Sequence, residues 1–525
     1  MRKLPLISFI FPLLAISLTQ PGYALSDSGN TRSVVILEPA TSTYTLPESK
    51  RDLPLVKLAS SPMSGKVNNE FTTTFAQFIL ELDDNARKIG GTDTPCTEIF
   101  DDKTILFLSN EDGGFARRGF WFLADPQTQP TYCDLLYVDM TVSESELNNG
   151  GFIEIFAHET AHVILQRLVG KIENAPSSRF HNVFAITDYQ TAFDEGFGIY
   201  FQTLTALLAN HSGQQQRLQG RFSPSLADQW FSRIDGRQRI FDVMHNRLVF
   251  ARYVDQQSTT ERVYAQEGMS SAFRSELLNA QAMHSSEGVL ATLFYRLATD
   301  PSLAALTPSD SDWYAKAVAH HTHLFKLISS LDLRSDNLPP WLQLLEQLKL
   351  QGSALAVPAA ISYLHTTYAR SADRELSAKL QQLIMAGHSG DLKGFMAHYG
   401  ESNQAILSIA QQWHNENRSL ATELGRPLWL LAEAIKIPSA PWSAQQLPLT
   451  INLNMATANE LAMLPQLSAN DIAALLSERT ANGPYNSMLE LSQRLNLDEI
   501  KYQSLKSLAQ AHQQALTKPS SGNYK

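Results

Sequence analysis

The chain has 525 residues, of which 43% are hydrophobic and 18% are charged, and its formal charge is 42 − 52 = −10. This composition is typical of a globular protein, and the length allows two to four domains. The negative balance argues against nonspecific binding to nucleic acid or to an anionic membrane surface.

The first 24 residues have the pattern of a secretory signal. Arg2 and Lys3 precede an apolar run over residues 4–18 that is short for a membrane span, and small residues follow at Gly22 and Ala24. We therefore predict cleavage after Ala24 and an exported mature chain, periplasmic or secreted. No later run is comparably long and apolar, so no membrane span is expected in the mature chain.

Residues 25–66 are predicted to form an extended N-terminal arm. From Asn69 onward, apolar residues recur at helical spacing until Gly90 and Gly91, which predicts a helix. Three strand patterns follow, at residues 104–109, 118–123 and 133–140.

Two cysteines, Cys96 and Cys133, fall within this region with 36 residues between them. An even pair in an oxidising compartment most simply forms one disulfide. The alternative is two unpaired buried thiols.

The most informative segment reads His158-Glu159-Thr160-Ala161-His162 within an apolar run without Pro or Gly. Because residues four apart in a helix lie one above the other, both imidazoles can reach one point about 2 Å away, a bond length that suits Zn²⁺. Glu159 beside them can exchange protons with a metal-activated water.

A catalytic zinc site needs a third protein ligand and an open fourth position. Glu195 lies in a second apolar helical run, 33 residues beyond His162, and loop signals separate the two runs. Gly196 beside it is expected to let the two helix backbones approach closely.

These residues resemble the gluzincin metallopeptidases over residues 152–201. The resemblance implies zinc on His158, His162 and Glu195 and implies Glu159 as general base. The chain departs from the pattern in having Ile199, because several gluzincins carry there an Asp that orients a histidine. Asp194 and Glu154 are the candidates for that orienting carboxylate.

Other interpretations of the same residues stay open. Both histidines could be core residues that are hydrogen-bonded to backbone carbonyls, and the acids near Gly196 could begin a helix. By the same resemblance, the last strand before the metal-binding helix is expected to be a sheet edge that accepts an extended peptide. An ordinary edge strand would have the same sequence.

Residues 211–437 are almost wholly helical in pattern. His320, His321 and His323 cluster there without acidic partners and are interpreted as ordinary surface or core histidines. His284 is a candidate for a group that stabilises the transition-state oxyanion, although helix capping by Ser285 and Ser286 is the favoured explanation of this segment.

A proline-rich segment at residues 438–450 is predicted to be a linker. Residues 451–512 beyond it resemble the helix-hairpin-helix module of competence-type DNA receptors. Gln466 and Ser468 stand where the family has phosphate-binding glycines, and four basic against six acidic residues give a net charge of −2. A protein-interaction or structural role is therefore favoured, and DNA binding is disfavoured.

The predicted fold class is α+β: a zincin-like domain with a small sheet and active-site helices, an all-α domain and a small helix-hairpin-helix domain. The predicted borders are 1–24 for the signal, 25–66 for the arm, 67–210 for the zincin-like domain, 211–437 for the helical domain, 438–450 for the linker and 451–512 for the last module. The predicted function is an exported metallopeptidase with one Zn²⁺ per chain and a peptide or protein substrate. The alternative is a non-catalytic binding protein whose C-terminal module contacts a protein partner or DNA.

Overall fold

The computed structural model of the protein describes residues 32–40, 53–91, 93–170, 172, 183, 186–209, 211–214, 236–253, 272–307, 310–435 and 447–517. Helices and a small mixed sheet make up these residues, in agreement with the predicted α+β class. The predicted signal peptide lies outside the described residues, and the predicted domain borders stay predictions.

Five strands from the first part of the chain form the main sheet. They are β1 (Val34–Pro39), β2 (Leu55–Leu58), β3 (Thr104–Leu108), β4 (Gly114–Phe122) and β5 (Thr131–Met140). Their order is β1-β2-β4-β5-β3, and β3 pairs with β1 so that the sheet closes on itself. Two further pairs are β6 (Phe250–Tyr253) with β7 (Ala272–Leu277), and β8 (Trp429–Ile435) with β9 (Leu447–Asn452).

The helices, in chain order, are α1 (Pro62–Glu70), α2 (Thr74–Gly90), α3 (Glu144–Asn149), α4 (Gly151–Val169), α5 (Tyr189–Leu208), α6 (Gly236–Met244), α7 (Ala280–His284), α8 (Glu287–Thr299), α9 (Trp313–Ile328), α10 (Pro340–Leu350), α11 (Ala356–Thr366), α12 (Arg374–Ser389), α13 (Leu392–His414), α14 (Ala458–Leu461), α15 (Ala469–Asn482), α16 (Met488–Leu495) and α17 (Glu499–Thr517).

Strands β3 and β5 are buried on both faces because their alternating side chains enter two different cores. On β5, Leu135 and Tyr137 fill the inside of the closed sheet, whereas Leu136 and Val138 face the helices. The hydrophobic core between the sheet and the helices is one continuous cluster, which extends from Val67 on α1 to Leu424 ahead of β8. The helices that carry the candidate site therefore pack on a rigid sheet.

Helix α4 is surrounded by other elements, which explains why its sequence is apolar on all sides. It packs against α2, α5 and the sheet, and α5 packs in turn against α8. This arrangement confirms the prediction of a buried or half-buried helix around residues 158–162.

Several local predictions are corrected by the strand pairing. The predicted arm contributes β1 and β2 to the sheet, and the predicted linker overlaps β9, which pairs antiparallel with β8. The mostly helical stretch before the linker also contains β6, β7 and β8. Residues 33–37 of the arm are strand-like in sequence, whereas the other strands are short and show no clear alternation, so local periodicity does not reveal them.

The expectation that β5 is the sheet edge is wrong. It pairs antiparallel with β4 along most of its length and parallel with β3 near Met140. Strand β4 pairs with β2 only at Trp121 and Phe122. Among the described strands, the first half of β4 therefore has a neighbour on one side only.

The predicted disulfide is confirmed, since Cys96 and Cys133 are bonded. It joins the segment after α2 to the beginning of β5. Among the described residues, no helix combines the length and the apolar character that crossing a membrane requires.

Candidate metal centre

Helices α4 and α5 together bring the three predicted ligands to one point. His158 and His162 lie one turn apart on α4, and Glu195 lies on α5. The side chain of Asp188 caps the first turn of α5 by accepting a hydrogen bond from the Thr191 backbone N–H at 2.8 Å. This cap fixes where α5 begins and so which of its faces meets α4.

The ligand atoms form a nearly equilateral triangle. His158 Nε2 and His162 Nε2 are 3.1 Å apart, and each is 3.5 Å from Glu195 Oε2. Atoms that bind a tetrahedral zinc at its usual bond lengths are separated by roughly 3.3–3.6 Å. A point about 2 Å from all three atoms therefore exists, and the residues fit a zinc ion.

The triangle also agrees with the chemistry of a catalytic rather than a structural site. Within the part of the chain that the structure describes, His158, His162 and Glu195 are the one group of three or more His, Cys, Asp or Glu side chains whose ligand atoms converge. Three protein ligands leave a fourth tetrahedral position for water or substrate, whereas structural zinc sites usually have four protein ligands.

Of the two candidates for an orienting carboxylate, Asp194 is the one that contacts a histidine. Its Oδ1 lies 2.6 Å from His162 Nδ1, so the other ring nitrogen, Nε2, faces the ligand triangle. Burial alone would lower the pKa of His162, but the Asp194 and Glu195 carboxylates outweigh it and hold that pKa well above the usual value.

The other candidate, Glu154, is committed elsewhere. Its carboxylate is 2% exposed and accepts hydrogen bonds from the side-chain amides of Gln202 at 3.3 Å and Gln214 at 2.9 Å. Glu154 therefore joins α4 to α5 one turn before the ligands, and it does not orient His162.

Close packing around the site depends on a glycine that sequence reasoning missed. A Cβ atom at Gly198 would lie 2.8–3.1 Å from three ring atoms of His158. The predicted close approach at Gly196 is instead toward α8, where a Cβ atom would lie 2.6 Å from Leu290 Cβ. Both glycines lie on α5, and only the tertiary arrangement shows which one the histidine packs against.

Glu159 lies beneath the beginning of β4. It is 8% exposed, and a Cβ atom at Gly114 would lie 2.9 Å from its Oε1. Any larger residue at position 114 would therefore push against the predicted base. The sequence signal that could have located this contact is the glycine pair Gly113-Gly114 where β4 begins, and such a pair is too common in turns to interpret alone.

His284 does not have the surroundings of an oxyanion donor. It is 2% exposed, and its Nε2 is hydrogen-bonded with Tyr363 Oη at 2.8 Å and Ser371 Oγ at 3.1 Å. Burial lowers the pKa of His284 to about 3. The structure thus places it in a buried network, which is a structural role.

The histidine cluster on α9 is also explained by packing. His321 is fully buried, its Nε2 is 2.9 Å from Tyr200 Oη, and its ring stacks on that tyrosine. Burial lowers its pKa to about 4. This agrees with the interpretation of the cluster as ordinary histidines.

The C-terminal helices have carboxylates at the positions where a phosphate would bind. Asp471 forms a capping box with Ser468 at the start of α15 and pairs with Lys501, and these contacts lower its pKa to about 2. Asp498 accepts a hydrogen bond from the Lys501 backbone N–H at the start of α17. A carboxylate at a helix N-terminus occupies the site that an anion would otherwise use.

Searches of protein-family models, curated proteins and solved structures found no match to this chain.

Proposed function

We propose that the protein is an exported zinc-dependent metallopeptidase of gluzincin type, and that it hydrolyses peptide bonds. The observation that supports this most strongly is the triangle of His158 Nε2, His162 Nε2 and Glu195 Oε2, with sides of 3.1–3.5 Å. The adjacent Glu159 supplies the acid–base group that hydrolysis requires. The Cys96–Cys133 disulfide is compatible with export.

Each residue near the triangle has a separate task. Zinc held by the three ligands would supply a Lewis acid that acidifies a water molecule and polarises the scissile carbonyl. Glu159 takes the proton that this water loses and passes it to the leaving amine. Asp194 holds the Nδ1 proton of His162, so that Nε2 keeps its lone pair directed at the metal position.

The substrate is proposed to lie along β4. Residues 114–118 pair with β5 on one side, and no described strand pairs with them on the other. An extended peptide can add to such an edge through backbone hydrogen bonds, independently of its side chains. Because Gly114 packs on Glu159, a peptide bound there would have its backbone close to the base.

The C-terminal module is proposed to act in protein contact or as a structural appendage, and not in DNA binding. Its basic side chains are already engaged: Arg479 donates to the Leu453 and Ala456 carbonyls, and Arg494 pairs with Glu478 and Glu490. With Asp471 and Asp498 at the starts of α15 and α17 as well, little positive charge is left for phosphate groups.

The proposal is tested on the purified mature chain by metal analysis and by peptide digestion. We expect about one zinc per chain, lost in His162→Ala. A mixed peptide pool analysed by mass spectrometry should show cleavage by the wild type. Glu159→Gln should keep the zinc but lose about 10²- to 10⁴-fold in rate. The matched control is Glu144→Gln, which removes an exposed carboxylate on α3 and should leave both readouts unchanged.

Two results would reject the proposal. Absence of zinc from metal-buffered wild-type protein would mean that the three residues are not a metal site. Full zinc without cleavage of any peptide would leave the non-catalytic binding protein as the better explanation. Any deletion used to test that alternative should begin before β8, because Leu430 and Ala432 belong to the hydrophobic core of the module.

A further inference from the structure

A cavity of about 840 Å³ lies apart from the metal centre, between the C-terminal module and the helical region. One wall is α12 and the other is formed by residues 454–459 and the end of α15, while residues 276–282 lie between them. Its volume falls in the range of small-molecule and peptide sites. Neither the zinc ligands nor Glu159 lines it.

The walls of this cavity are fixed in place by hydrogen bonds between polar side chains and backbone carbonyls. Asn279 Nδ2 donates to the Asn454 carbonyl at 2.6 Å, and Gln281 Nε2 donates to the Leu424 carbonyl at 2.9 Å. Arg374 also spans the two sides by donating to the Ala481 carbonyl at 2.7 Å. The cavity is therefore preformed, and a ligand would lose little affinity to rearrangement.

Helix α12 presents a single stripe of side chains to the cavity. Arg374, Ser377, Gln381 and Met385 all line it, and their spacing of three, four and four residues places them on one helix face. Arg370 lies just before this helix and lines the same wall. The stripe thus runs from positive charge at the beginning of the helix to an apolar end.

Two polar groups on this wall lack partners. Ser377 is 2% exposed, and its Oγ has no hydrogen-bond partner among the described residues. Arg370 is half-buried, and its Nε, which is buried, likewise has no partner among the described residues. Burial lowers the pKa of Arg370, and no ion pair with a described carboxylate offsets that effect. Since a buried unpaired donor is expensive to maintain, an arrangement of this kind favours a ligand that satisfies it.

The two other arginines that line the cavity do have partners for their guanidinium groups. Arg374 pairs with Glu423 at 3.2 Å, and Arg479 donates to two backbone carbonyls, Leu453 at 2.7 Å and Ala456 at 2.9 Å. Among the described charged residues that line the cavity, the arginines outnumber the acids Glu276 and Glu423 by 3 − 2 = 1. Of the three described arginines in the lining, Arg370 is therefore the one available to pair with an anionic ligand.

The rest of the lining narrows the class of anion. Leu277, Leu278, Met455 and Leu476 supply aliphatic surface, and none of the described lining residues has an aromatic ring on which a base could stack. A nucleotide would therefore gain little beyond its phosphate. A carboxylate attached to a chain of aliphatic residues matches both the charge and the apolar surface.

We propose that this cavity binds the C-terminal end of a peptide, with the terminal carboxylate on Arg370, a second hydrogen bond from Ser377 and aliphatic side chains on the leucine-lined wall. Such a site would capture a peptide independently of hydrolysis at the metal centre. It also gives the C-terminal module a role, because that module forms one wall of the cavity.

The test is calorimetric titration of the full-length mature protein with N-acetyl-Ala-Leu-Ala-Leu as the free acid and as the C-terminal amide. The Glu159→Gln background with a chelator prevents both hydrolysis and binding to zinc, so the result is independent of the proposed peptidase activity. We expect the acid to bind at least ten-fold more tightly than the amide. Arg370→Gln should abolish this difference without lowering the unfolding midpoint, since it removes a half-buried charge that forms no ion pair with a described residue.

The same titration of two further variants provides the controls. Arg334→Gln removes an exposed arginine outside the cavity and should bind the acid as the parent does, and Ser377→Ala should bind it several-fold more weakly. Equal binding of acid and amide, no binding at millimolar peptide, or unchanged binding by Arg370→Gln would overturn the proposal. Competition by inorganic phosphate at the same concentration as the free acid would show a general oxyanion site and would overturn the assignment to a peptide.

Discussion

Asp194→Asn tests whether this carboxylate orients the His162 ring in the proposed metal centre. The Asp194 carboxylate lies 2.6 Å from His162 Nδ1, and the His162 side chain is only 9% exposed. Asparagine keeps the size and one acceptor oxygen but removes the charge. Loss of an outer partner of this kind weakens metal affinity about 10- to 100-fold. That range is equivalent to roughly 1.4–2.7 kcal/mol and agrees with about 1.5–3 kcal/mol for a hydrogen bond to a charged group.

The assay is a zinc competition titration against a chromogenic chelator, with wild type, Asp194→Asn and Glu154→Gln compared at one pH. Glu154 is a control on the neighbouring turn, because its carboxylate contacts Gln202 and Gln214 rather than a ligand. We expect a 10- to 100-fold higher Kd for Asp194→Asn and a change under about two-fold for Glu154→Gln. Unchanged affinity in Asp194→Asn, or the larger loss in Glu154→Gln, would refute the assignment of the orienting carboxylate.

Three further predictions concern packing, pH and the disulfide. Gly198→Ala should reduce zinc affinity at least about ten-fold in the same titration, because its methyl group would displace the His158 ring. Gly196→Ala, by contrast, should lower the free energy of unfolding by about 1–3 kcal/mol and leave the zinc stoichiometry intact. Burial lowers the pKa of His284 to about 3, so the unfolded state takes up its proton first as the pH falls below about 6.5. Between pH 7 and pH 5.5, urea unfolding should show about 1 kcal/mol more loss of stability in wild type than in His284→Asn, and equal losses would contradict the burial of a neutral ring. Reduction of Cys96–Cys133 should lower the free energy of unfolding by about 4 kcal/mol, measured by urea unfolding with and without reductant, and no change would mean that the bond does not constrain the unfolded chain.

The sequence could predict the parts of the candidate site that are local. His158 and His162 lie on one helix face because four residues make about one turn, so their convergence needs no knowledge of the fold. Glu195 was identified by its resemblance to the gluzincin pattern, and the structure brings it within 3.5 Å of both histidines. The cysteine pairing was also predictable, since the two cysteines of a chain that is predicted to be exported have one simple partner choice.

The remaining features depend on which distant segments meet, and only the tertiary structure decided them. Asp194 and Glu154 were equal candidates in the sequence, and the packing of α4 on α5 directs the first to His162 and the second to glutamines. Among the described strands, the one with an unpaired edge next to Glu159 is β4 rather than β5, because closure of the sheet gives β5 neighbours on both sides. The unpartnered Arg370 has no signature in the sequence. Local periodicity fixes which side chains share one face of an element, whereas a partner hundreds of residues away is set by how the elements pack together.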